Sequence, residues 1–481
     1  MINFRVIFYL LGFLVLIEGL FILLCAPVSA YYGDSDFGSI LISGIITVVI
    51  GLIIYFTFKN TDKSIGKRDG YIIVSLGWII FSLFGSLPFI LSGYIPNFTD
   101  AFFETMSGFT TTGASILNDI ESISHGILFW RSLTQWLGGM GIIVMSIAIL
   151  PLLGIGGMQL FIAEVPGPTP DKLHPRIKET AQRLWGIYII FTIIEIVLLR
   201  FGDMNLFDSI CHSFTTMATG GYSTKQASIA NESAYIQYVI TIFMFIAGTN
   251  FTLSYFALHF DFKKVWQNEE FRSYLFFTLG FTFIISIGLY FYGQKHYESC
   301  FRDSVFQVVS IITTTGFATA DYELWPPLML MLIFILMFFG GSAGSTGGGI
   351  KIMRIVLLIK NGFYELKRIV HPNAVIPIRF NNQGVSPQIL SNVLAFVMFY
   401  IFITIIGIVV MASMDYDIES SFGAVAATLG NIGPGIGEVG PIDNYAHVPA
   451  FGKWFLSFLM LAGRLEIFTI FVLFSPNFWK K

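Results

Sequence analysis

Long apolar segments alternate with short polar ones along the whole chain of 481 residues. A helix needs about 20 apolar residues to cross a bilayer. Ten segments satisfy this, near residues 6–27, 38–58, 71–93, 127–153, 184–201, 235–258, 274–292, 327–359, 389–411 and 454–474. The pattern predicts an all-α polytopic membrane protein with ten transmembrane helices.

The first apolar segment has a second interpretation. It is followed by APVSAYYG, which resembles a signal-peptidase site at Ala30. Glu18 lies within the segment, however, and another apolar segment follows at once. We therefore interpret residues 6–27 as a membrane helix.

Composition supports a membrane protein and argues against several functional classes. Hydrophobic residues make up 55% of the chain and charged residues only 12%, whereas soluble domains carry about 25% charged residues. Cys25, Cys211 and Cys300 are too widely spaced for a zinc site and odd in number, so we expect small apolar fillers. His212 is expected to make a polar contact rather than bind metal. No cluster of His, Cys or acidic residues indicates an enzyme, and nothing indicates a nucleic-acid partner.

Lysine and arginine predict the orientation, because cytoplasmic loops are enriched in both. With the N-terminus inside, the cytoplasmic stretches hold Lys59, Lys63, Lys67, Arg68, Lys172, Arg176, Lys178, Arg183, Lys263, Lys264, Arg272, Lys360, Lys367, Arg368, Arg379, Lys480 and Lys481. The outer stretches hold only Arg131, Arg200, Lys225, Lys295, Arg302 and Lys453. We therefore expect both termini to be cytoplasmic.

Four blocks of similar sequence lie between the apolar segments. Block 1 is DAFFETMSGFTTTGAS (100–115), block 2 is DSICHSFTTMATGGYS (208–223), block 3 is DSVFQVVSIITTTGFA (303–318), and block 4 is SSFGAVAATLGNIGPG (420–435). Each begins as a helix too short to span and then breaks into Thr, Gly or Asn. Each has a glycine 13 positions after its first residue, and these glycines are 108, 95 and 117 residues apart. Solenoid repeats are much shorter. We therefore predict four units, each made of a helix, a pore loop and a second helix, in pseudo-fourfold arrangement around a central pore.

This plan divides the chain into five parts. Residues 1–69 form an N-terminal helix pair, and residues 70–155, 156–272, 273–385 and 386–481 form pore repeats 1 to 4.

Non-helical backbone at membrane depth is tolerated only where it is buried in protein or lines a water-filled cavity. Rings of backbone carbonyls replace the hydration shell of potassium in selective channels. Glycine matters because it adopts backbone angles that side chains forbid. The blocks are therefore candidates for quarters of a selectivity filter. The alternative is a set of outer turns that only cap short helices.

The blocks, together with QWLGGMGIIV (135–144), GGSAGSTGGGIK (340–351) and AGRLEIF (462–468), resemble the Trk/Ktr/HKT superfamily of potassium transporters, most closely its TrkH/TrkG-type membrane subunits. The resemblance covers essentially the whole chain. It implies a potassium filter formed by Thr111, Thr112, Gly113, Thr219, Gly220, Gly221, Thr314, Thr315, Gly316, Asn431, Ile432 and Gly433. Family members with serine at the first of these glycines tend to admit sodium, so Gly113 favours potassium. Block 4 departs from the threonine pattern, which predicts an asymmetric ring.

The eighth apolar segment is interrupted by glycines and then by Lys351 and Arg354. A phosphate loop is excluded because Ile350 separates the glycines from Lys351. A glycine-rich break in a span can line a cavity, although Gly344 and Gly348 could instead serve close helix packing. The resemblance implies an intramembrane gate loop, which we assign to Gly340, Gly341, Gly344, Gly347, Gly348 and Gly349.

Arg464 lies about ten residues into the last predicted span, roughly 15 Å deep by helical rise. An intramembrane charge is costly and usually faces a cavity or a partner. We expect a pore-side barrier belonging to the gate, with a purely structural bond to gate-loop carbonyls as the alternative.

These observations predict channel-like potassium uptake driven by the membrane potential, with potassium as the transported ion and no organic cofactor. The alternative is a symporter coupled to sodium or protons, for which Glu18 and Glu195 would be the candidate relays. The resemblance also implies a bacterial inner membrane as the location, a homodimer, and a cytosolic nucleotide-binding regulatory subunit of TrkA type. Lys172–Arg183 and Lys360–Arg379 are candidate docking surfaces, or simply the usual basic cytoplasmic loops.

Overall fold

The computed structural model describes residues 2–61, 66–144, 173–293, 296–374 and 376–480. Several predictions concern residues outside these ranges. They include Lys63, Lys172, Lys295 and Lys481, the end of the fourth span, and the boundary between repeats 1 and 2 at residue 155.

The N-terminal part is a helix pair with very close backbones. It comprises α1 (Phe4–Leu23), α2 (Ala26–Tyr32) and α3 (Phe37–Thr57). A Cβ atom on Gly19 would lie 2.7 Å from the backbone nitrogen of Val48, and one on Gly51 would lie 2.6 Å from that of Leu16. Small residues are common at such membrane-helix contacts because they let two backbones approach.

The remaining helices follow the order expected for four units, each with a long helix, a short helix, an irregular segment and a return helix. The first unit has α4 (Lys67–Gly85), α5 (Leu87–Ser92), α6 (Phe98–Phe109) and α7 (His125–Val144). The second has α8 (Leu173–Phe201), α9 (Leu206–Met217), α10 (Ala234–Ala247), α11 (Phe251–Leu258) and α12 (Phe262–Gln267). The third has α13 (Glu269–Phe291), α14 (Tyr297–Ile312), α15 (Pro327–Leu336) and α16 (Ile352–Val370). The fourth has α17 (Pro387–Ala412), α18 (Ile418–Leu429), α19 (Ala450–Arg464), α20 (Phe468–Phe471) and α21 (Pro476–Trp479).

Two small strand pairs and three 3-10 turns complete the described elements. Strand β1 (Phe339–Gly340) pairs in parallel with β2 (Ile350–Lys351). Strand β3 (Arg379–Phe380) pairs in antiparallel with β4 (Gln383–Gly384). The 3-10 turns span Tyr322–Leu324, Gly437–Val439 and Val472–Phe474.

The chain is a multi-pass membrane protein. Among the described residues, six helices are long and apolar enough to span a bilayer: Phe4–Tyr32, Phe37–Thr57, Lys67–Ser92, Glu179–Phe201, Glu269–Phe291 and Pro387–Ala412. Two further helix pairs are bent, α10 with α11 by 111° and α19 with the segment Phe468–Phe474 by 109°. The described part thus holds six spans, or up to eight if each bent pair counts once.

The bent pairs correct the prediction of continuous spans at 235–258 and 454–474. Asn250 begins α11 anew, since its side chain accepts a hydrogen bond from the backbone nitrogen of Thr252 at 2.8 Å. In the last segment Glu466 and Ile467 both have positive φ, of 56° and 54°, and a right-handed helix cannot continue through them.

The predicted interruption of the eighth segment is confirmed. Helix α15 ends at Leu336, and the Gly-rich loop (residues 340–349) separates it from α16. The β1–β2 pair closes the base of this loop, because Gly340 lies opposite Lys351 in the pair.

Candidate functional site

The four short helices of the blocks end in the same hydrogen-bonding pattern. In each, a backbone nitrogen reaches back five residues to a helix carbonyl: Thr112 to Ser107 at 2.8 Å, Gly220 to Thr215 at 2.9 Å, Thr315 to Ser310 at 2.8 Å, and Ile432 to Ala427 at 2.8 Å. This is the Schellman arrangement, which places a left-handed residue directly after the helix. The negative ends of four helix dipoles thereby lead into the irregular segments, where they favour a cation.

The left-handed residues are unusual for their type. They are Thr111, Thr219, Thr314 and Asn431, with φ between 52° and 60°. Asparagine tolerates this conformation, but a β-branched residue there is a genuine outlier. Strain of this kind persists where the surroundings impose it, and it clusters at functional sites.

The block glycines also have positive φ, and each lies against the next block. Their φ values are 84° for Gly113, 75° for Gly221, 85° for Gly316 and 98° for Gly433. The atom nearest to a Cβ added at each would be a carbonyl oxygen of another block: that of Gly220 for Gly113, Thr315 for Gly221, Ile432 for Gly316 and Thr112 for Gly433. The contacts run from block 1 to 2 to 3 to 4 and back to 1, so the four segments close a ring.

The carbonyls expected to face the ion are those of the two residues before each block glycine, eight in all, and most of them have no hydrogen-bond partner. Seven accept no hydrogen bond within the described part of the chain, namely those of Thr111, Thr112, Thr219, Thr314, Thr315, Asn431 and Ile432. These residues are all buried. Buried backbone carbonyls are nearly always paired, so this concentration of free oxygens fits the coordination of a cation.

Gly220 is the exception among the eight. Its carbonyl accepts a hydrogen bond from Gln135 Nε2 at 2.6 Å, while Gln135 Oε1 accepts one from the backbone nitrogen of Tyr222 at 3.0 Å. The side chain of Gln135 therefore braces block 2 from α7. The ring is asymmetric at block 2, where the sequence predicted asymmetry only at block 4.

The four block glycines line a cavity of about 90 Å³, together with residues that follow them in the sequence. Arg131, Lys225 and Asp443 are among its other lining residues. We call this cavity the mouth.

A buried ion pair supports blocks 1 and 2 beside this mouth. Arg131 Nε lies 2.7 Å from Glu104 Oε1, and both side chains are almost fully buried. Glu104 also accepts a hydrogen bond from the backbone nitrogen of Ile116 at 2.9 Å. Arg131 donates to the carbonyl of Ser223 at 2.9 Å and stacks on the Tyr222 ring. Glu104, Arg131 and Gln135 were not predicted as site residues, although ionisable or polar residues in apolar helices are themselves a signal.

Asn431 links block 4 to block 1. Its Nδ2 donates to Thr112 Oγ1 at 3.0 Å and to the carbonyl of Met460 at 2.9 Å. In blocks 1 and 3 the two threonines on either side of the left-handed residue bond each other, Thr110 with Thr112 and Thr313 with Thr315. The departure of block 4 from the threonine pattern thus supplies a contact between blocks.

The loop after block 3 holds the loop after block 4. Tyr322 donates from its hydroxyl to the carbonyl of Gly435 at 2.6 Å, and Glu323 Oε1 accepts from the backbone nitrogen of Gly437 at 2.5 Å. Partial burial, together with the nearby Asp321, Asp443 and Glu419 carboxylates, raises the pKa of Glu323 to about 7, and the bond from Gly437 opposes this rise.

The Gly-rich loop lies against the helix ends of blocks 2, 3 and 4 and against the end of α10. Gly341 adjoins the carbonyl of Gly248, Gly347 adjoins that of Thr313, and Gly348 adjoins that of Gly430. Thr346 Oγ1 donates towards the carbonyls of Met217 and Ala247, each at 3.2 Å. Gly344 and Gly349 have φ of 77° and 61°, and Gly349 packs on Gly340. The six predicted gate glycines therefore form one compact loop.

One carboxylate joins both ends of this loop. Glu270 Oε1 accepts hydrogen bonds from the backbone nitrogens of Ala343, at 2.7 Å, and Met353, at 3.2 Å. Asn250 Nδ2 holds the Ala343 carbonyl at 2.5 Å. Lys351 Nζ donates to the carbonyl of Gly347. Glu270 and Asn250 were not predicted to support the loop, because they lie far from it in sequence.

Arg464 is the last residue of α19 and lies at the bend, rather than within a continuous span as predicted. Its guanidinium donates to the Thr346 carbonyl at 2.6 Å and to the Gly138 carbonyl at 3.0 Å. Arg464 thus bonds a carbonyl of the Gly-rich loop, which is the contact that the alternative interpretation expected. Glu466 turns away from it and pairs with Arg354, Oε2 to Nη2, at 2.5 Å.

The histidine and the cysteines considered as metal ligands have ordinary environments. His212 contacts the carbonyl of Asp208 and the hydroxyl of Ser223, each at 2.9 Å. The three cysteines are buried and unbridged. No group of three or more His, Cys, Asp or Glu side chains able to hold a metal occurs among the residues described.

Glu18 is buried on α1, and neither of its carboxylate oxygens has a hydrogen-bond partner within the described ranges. It is one of the residues that line an apolar cavity of about 460 Å³ between α1, α4, α7 and α8.

Known proteins resemble the chain over its full length. Residues 38–481 match the TrkH family, described as cation transport protein. The chain is 42% identical over 487 residues to a Trk system potassium uptake protein TrkH of Salmonella typhimurium, covering 100% of each chain. It is 35% identical to TrkG of Escherichia coli, with 99% of each chain covered. The crystal structure of the potassium transporter TrkH from Vibrio parahaemolyticus superposes with a TM-score of 0.90 at 38% identity, covering 100% of both chains.

A family match over most of the chain, full-length relatives well above 30% identity and a closely superposing structure all agree. The chain therefore belongs to the TrkH family of cation transport proteins, which are transporters and not enzymes.

Proposed function

We propose that the protein takes up potassium through a channel-like pore. The ring of unpaired buried carbonyls from the four blocks carries this proposal, because carbonyl rings of this kind substitute for the hydration shell of potassium. The curated relatives named above are potassium uptake proteins. The negative ends of the four helix dipoles attract a cation, and the mouth gives it access to the carbonyl ring.

The fold is then a pseudo-fourfold arrangement of four pore repeats behind an N-terminal helix pair. Support comes from the four matching helix ends and from the cyclic order of glycine-to-carbonyl contacts. The total of ten spans remains a prediction, as do the cytoplasmic termini and the bacterial inner membrane.

The Gly-rich loop is the proposed gate. It lies against the inner ends of blocks 2, 3 and 4 and is fixed by Arg464, Glu270 and Lys351. A loop held by a few side-chain bonds can leave the pore axis when those bonds break. With the gate open, the membrane potential drives uptake, at about 2.3 kcal/mol per charge per 100 mV.

We further propose a homodimer regulated by a cytosolic nucleotide-binding subunit of TrkA type. The exposed face of α16 supports a protein contact, since Ile359, Phe363, Leu366 and Val370 are all at least 46% exposed and recur at helical spacing. The basic stretch Lys360–Arg379 lies on the same part of the chain, while part of Lys172–Arg183 lies outside the described residues.

The test is cation flux into sealed proteoliposomes that contain the full chain. Potassium and sodium gradients are imposed separately, each with and without a proton ionophore. We expect potassium-preferring flux that needs no second ion. Flux that requires sodium or a proton gradient would instead establish a symporter, and Glu18→Gln and Glu195→Gln would then show whether either carboxyl is the relay.

A further inference from the structure

The proposed gate touches two of the proposed filter segments directly. The backbone nitrogen of Gly348 donates to Thr314 Oγ1 at 2.7 Å, and both groups are buried. A Cβ atom on Gly348 would lie 2.5 Å from the Gly430 carbonyl oxygen and 2.9 Å from Asn431 Oδ1. The tip of the Gly-rich loop therefore packs on the left-handed residues of blocks 3 and 4.

The equivalent threonines of the other blocks make no such contact. Thr111 Oγ1 has no hydrogen-bond partner in the described part of the chain. Thr219 Oγ1 donates to the carbonyl of its neighbour Ala218 at 2.6 Å. All three threonines share the left-handed backbone, so the distinct environment of Thr314 comes from the loop.

We propose that Thr314 is a positioning residue that couples the gate loop to the third quarter of the filter. This inference rests on the proposed pore function. The docked loop holds the Thr314 side chain, and through it the strained backbone whose carbonyls face the ion. When the loop leaves, block 3 loses this support and the filter holds potassium less tightly.

The coupling has a physical basis on both sides of the bond. The Gly348 N–H is buried, and it loses its acceptor if the Thr314 hydroxyl is removed or turns away. The β-branched Thr314 has a strained backbone that must be held by its surroundings. Coupling between two binding equilibria is reciprocal, so potassium in the filter must favour the docked loop.

The first test compares matched threonine variants in proteoliposomes without a regulatory subunit. Thr314→Val keeps the side-chain shape but cannot accept the Gly348 bond. We expect its potassium flux to rise about fivefold to tenfold, as loss of one buried hydrogen bond implies, and its potassium-to-sodium ratio to fall. Thr314→Ser restores the hydroxyl, so both values should return towards those of the unmodified chain.

Thr111→Val is the matched comparison, because it removes a hydroxyl of the same type and backbone conformation that has no loop contact. Any change in permeation that Thr111→Val causes acts through block 1. We therefore do not expect a rise in flux that Thr111→Ser reverses. An equal rise in Thr111→Val, or unchanged flux in Thr314→Val, would overturn the coupling.

A second test does not depend on the folding of Thr314→Val. Ser345 lies in the loop and is 2% exposed, so Ser345→Cys reports loop movement through its reaction with a water-soluble thiol reagent. The unmodified chain, with its three buried cysteines, provides the background. We expect potassium to slow labelling severalfold relative to choline. Labelling at the same rate in both ions would overturn the proposal, whereas absence of potassium flux from the unmodified chain would overturn the pore function itself.

Discussion

The carbonyl oxygen of Ile432 occupies the space that a side chain on Gly316 would need. Gly316 also has a φ of 85°, a conformation that side chains disfavour. The close approach brings a free carbonyl of block 4 to the glycine of block 3, so the geometry of both depends on the absence of a Cβ atom.

We therefore expect Gly316→Ser to reduce potassium-over-sodium discrimination, because the Ile432 carbonyl must move away from the ring. The ratio of the two fluxes in proteoliposomes measures this directly. Gly362→Ser is the control, since a Cβ atom on Gly362 would meet no other atom within 4 Å. An unchanged flux ratio in Gly316→Ser would contradict the assignment of these blocks to a filter.

Glu270→Gln should favour opening of the gate. The carboxylate receives backbone bonds from both ends of the Gly-rich loop, and bonds to a charged acceptor are about twice as strong as neutral ones. Loss of the charge should weaken docking by about 1 kcal/mol, which corresponds to roughly fivefold more flux without a regulator. Glu365→Gln removes an exposed carboxylate on α16 and should leave flux unchanged. Reduced flux in Glu270→Gln would contradict a docking role.

Asn431→Thr should destabilise the protein, although it gives block 4 the residue type of the other blocks. Threonine cannot make both the Thr112 and Met460 bonds, and it adopts the left-handed backbone less readily than asparagine. We expect a loss of about 1–3 kcal/mol, seen as a lower thermal midpoint in detergent and a lower potassium-to-sodium ratio. Equal stability of the two proteins would show that the link between blocks 4 and 1 is dispensable.

The pKa of Glu323, raised to about 7 chiefly by burial, predicts dependence on the outer pH. Below pH 7 the carboxyl is neutral, and above it the charge returns beside the mouth, where it raises the local cation concentration. At low potassium, uptake should therefore increase as the outer pH rises through 7. The pKa of Glu323 is higher in the folded protein than its value near 4.3 in the unfolded chain. The folded state therefore gains stability from this group as the pH falls from 7 towards 4.3.

Glu323→Gln should remove this step in the pH profile of uptake, whereas Glu298→Gln, at an exposed carboxylate paired with Arg302, should retain it. A profile that keeps its midpoint near 7 in Glu323→Gln would assign the titration to another group.

The apolar segments, the short block helices, the glycine positions and the interruption in the eighth segment were predictable from the sequence. Each depends on residues that are near neighbours in the chain. A span requires a long enough apolar segment, the Schellman bonds form within one helix end, and glycine is the residue that most readily adopts a positive φ. Repetition strengthened the inference, because four blocks with the same spacing agree where one would be ambiguous.

Only the tertiary structure decided how these parts meet. Arg464 bonds Thr346 across 118 residues, Gln135 bonds Gly220 across 85, and Glu270 bonds Ala343 across 73. The bends at Asn250 and Ile467 likewise occur within segments whose hydropathy alone predicts straight spans. Such contacts depend on which helices become neighbours in space, and a local pattern of apolar and polar residues carries no information about that choice.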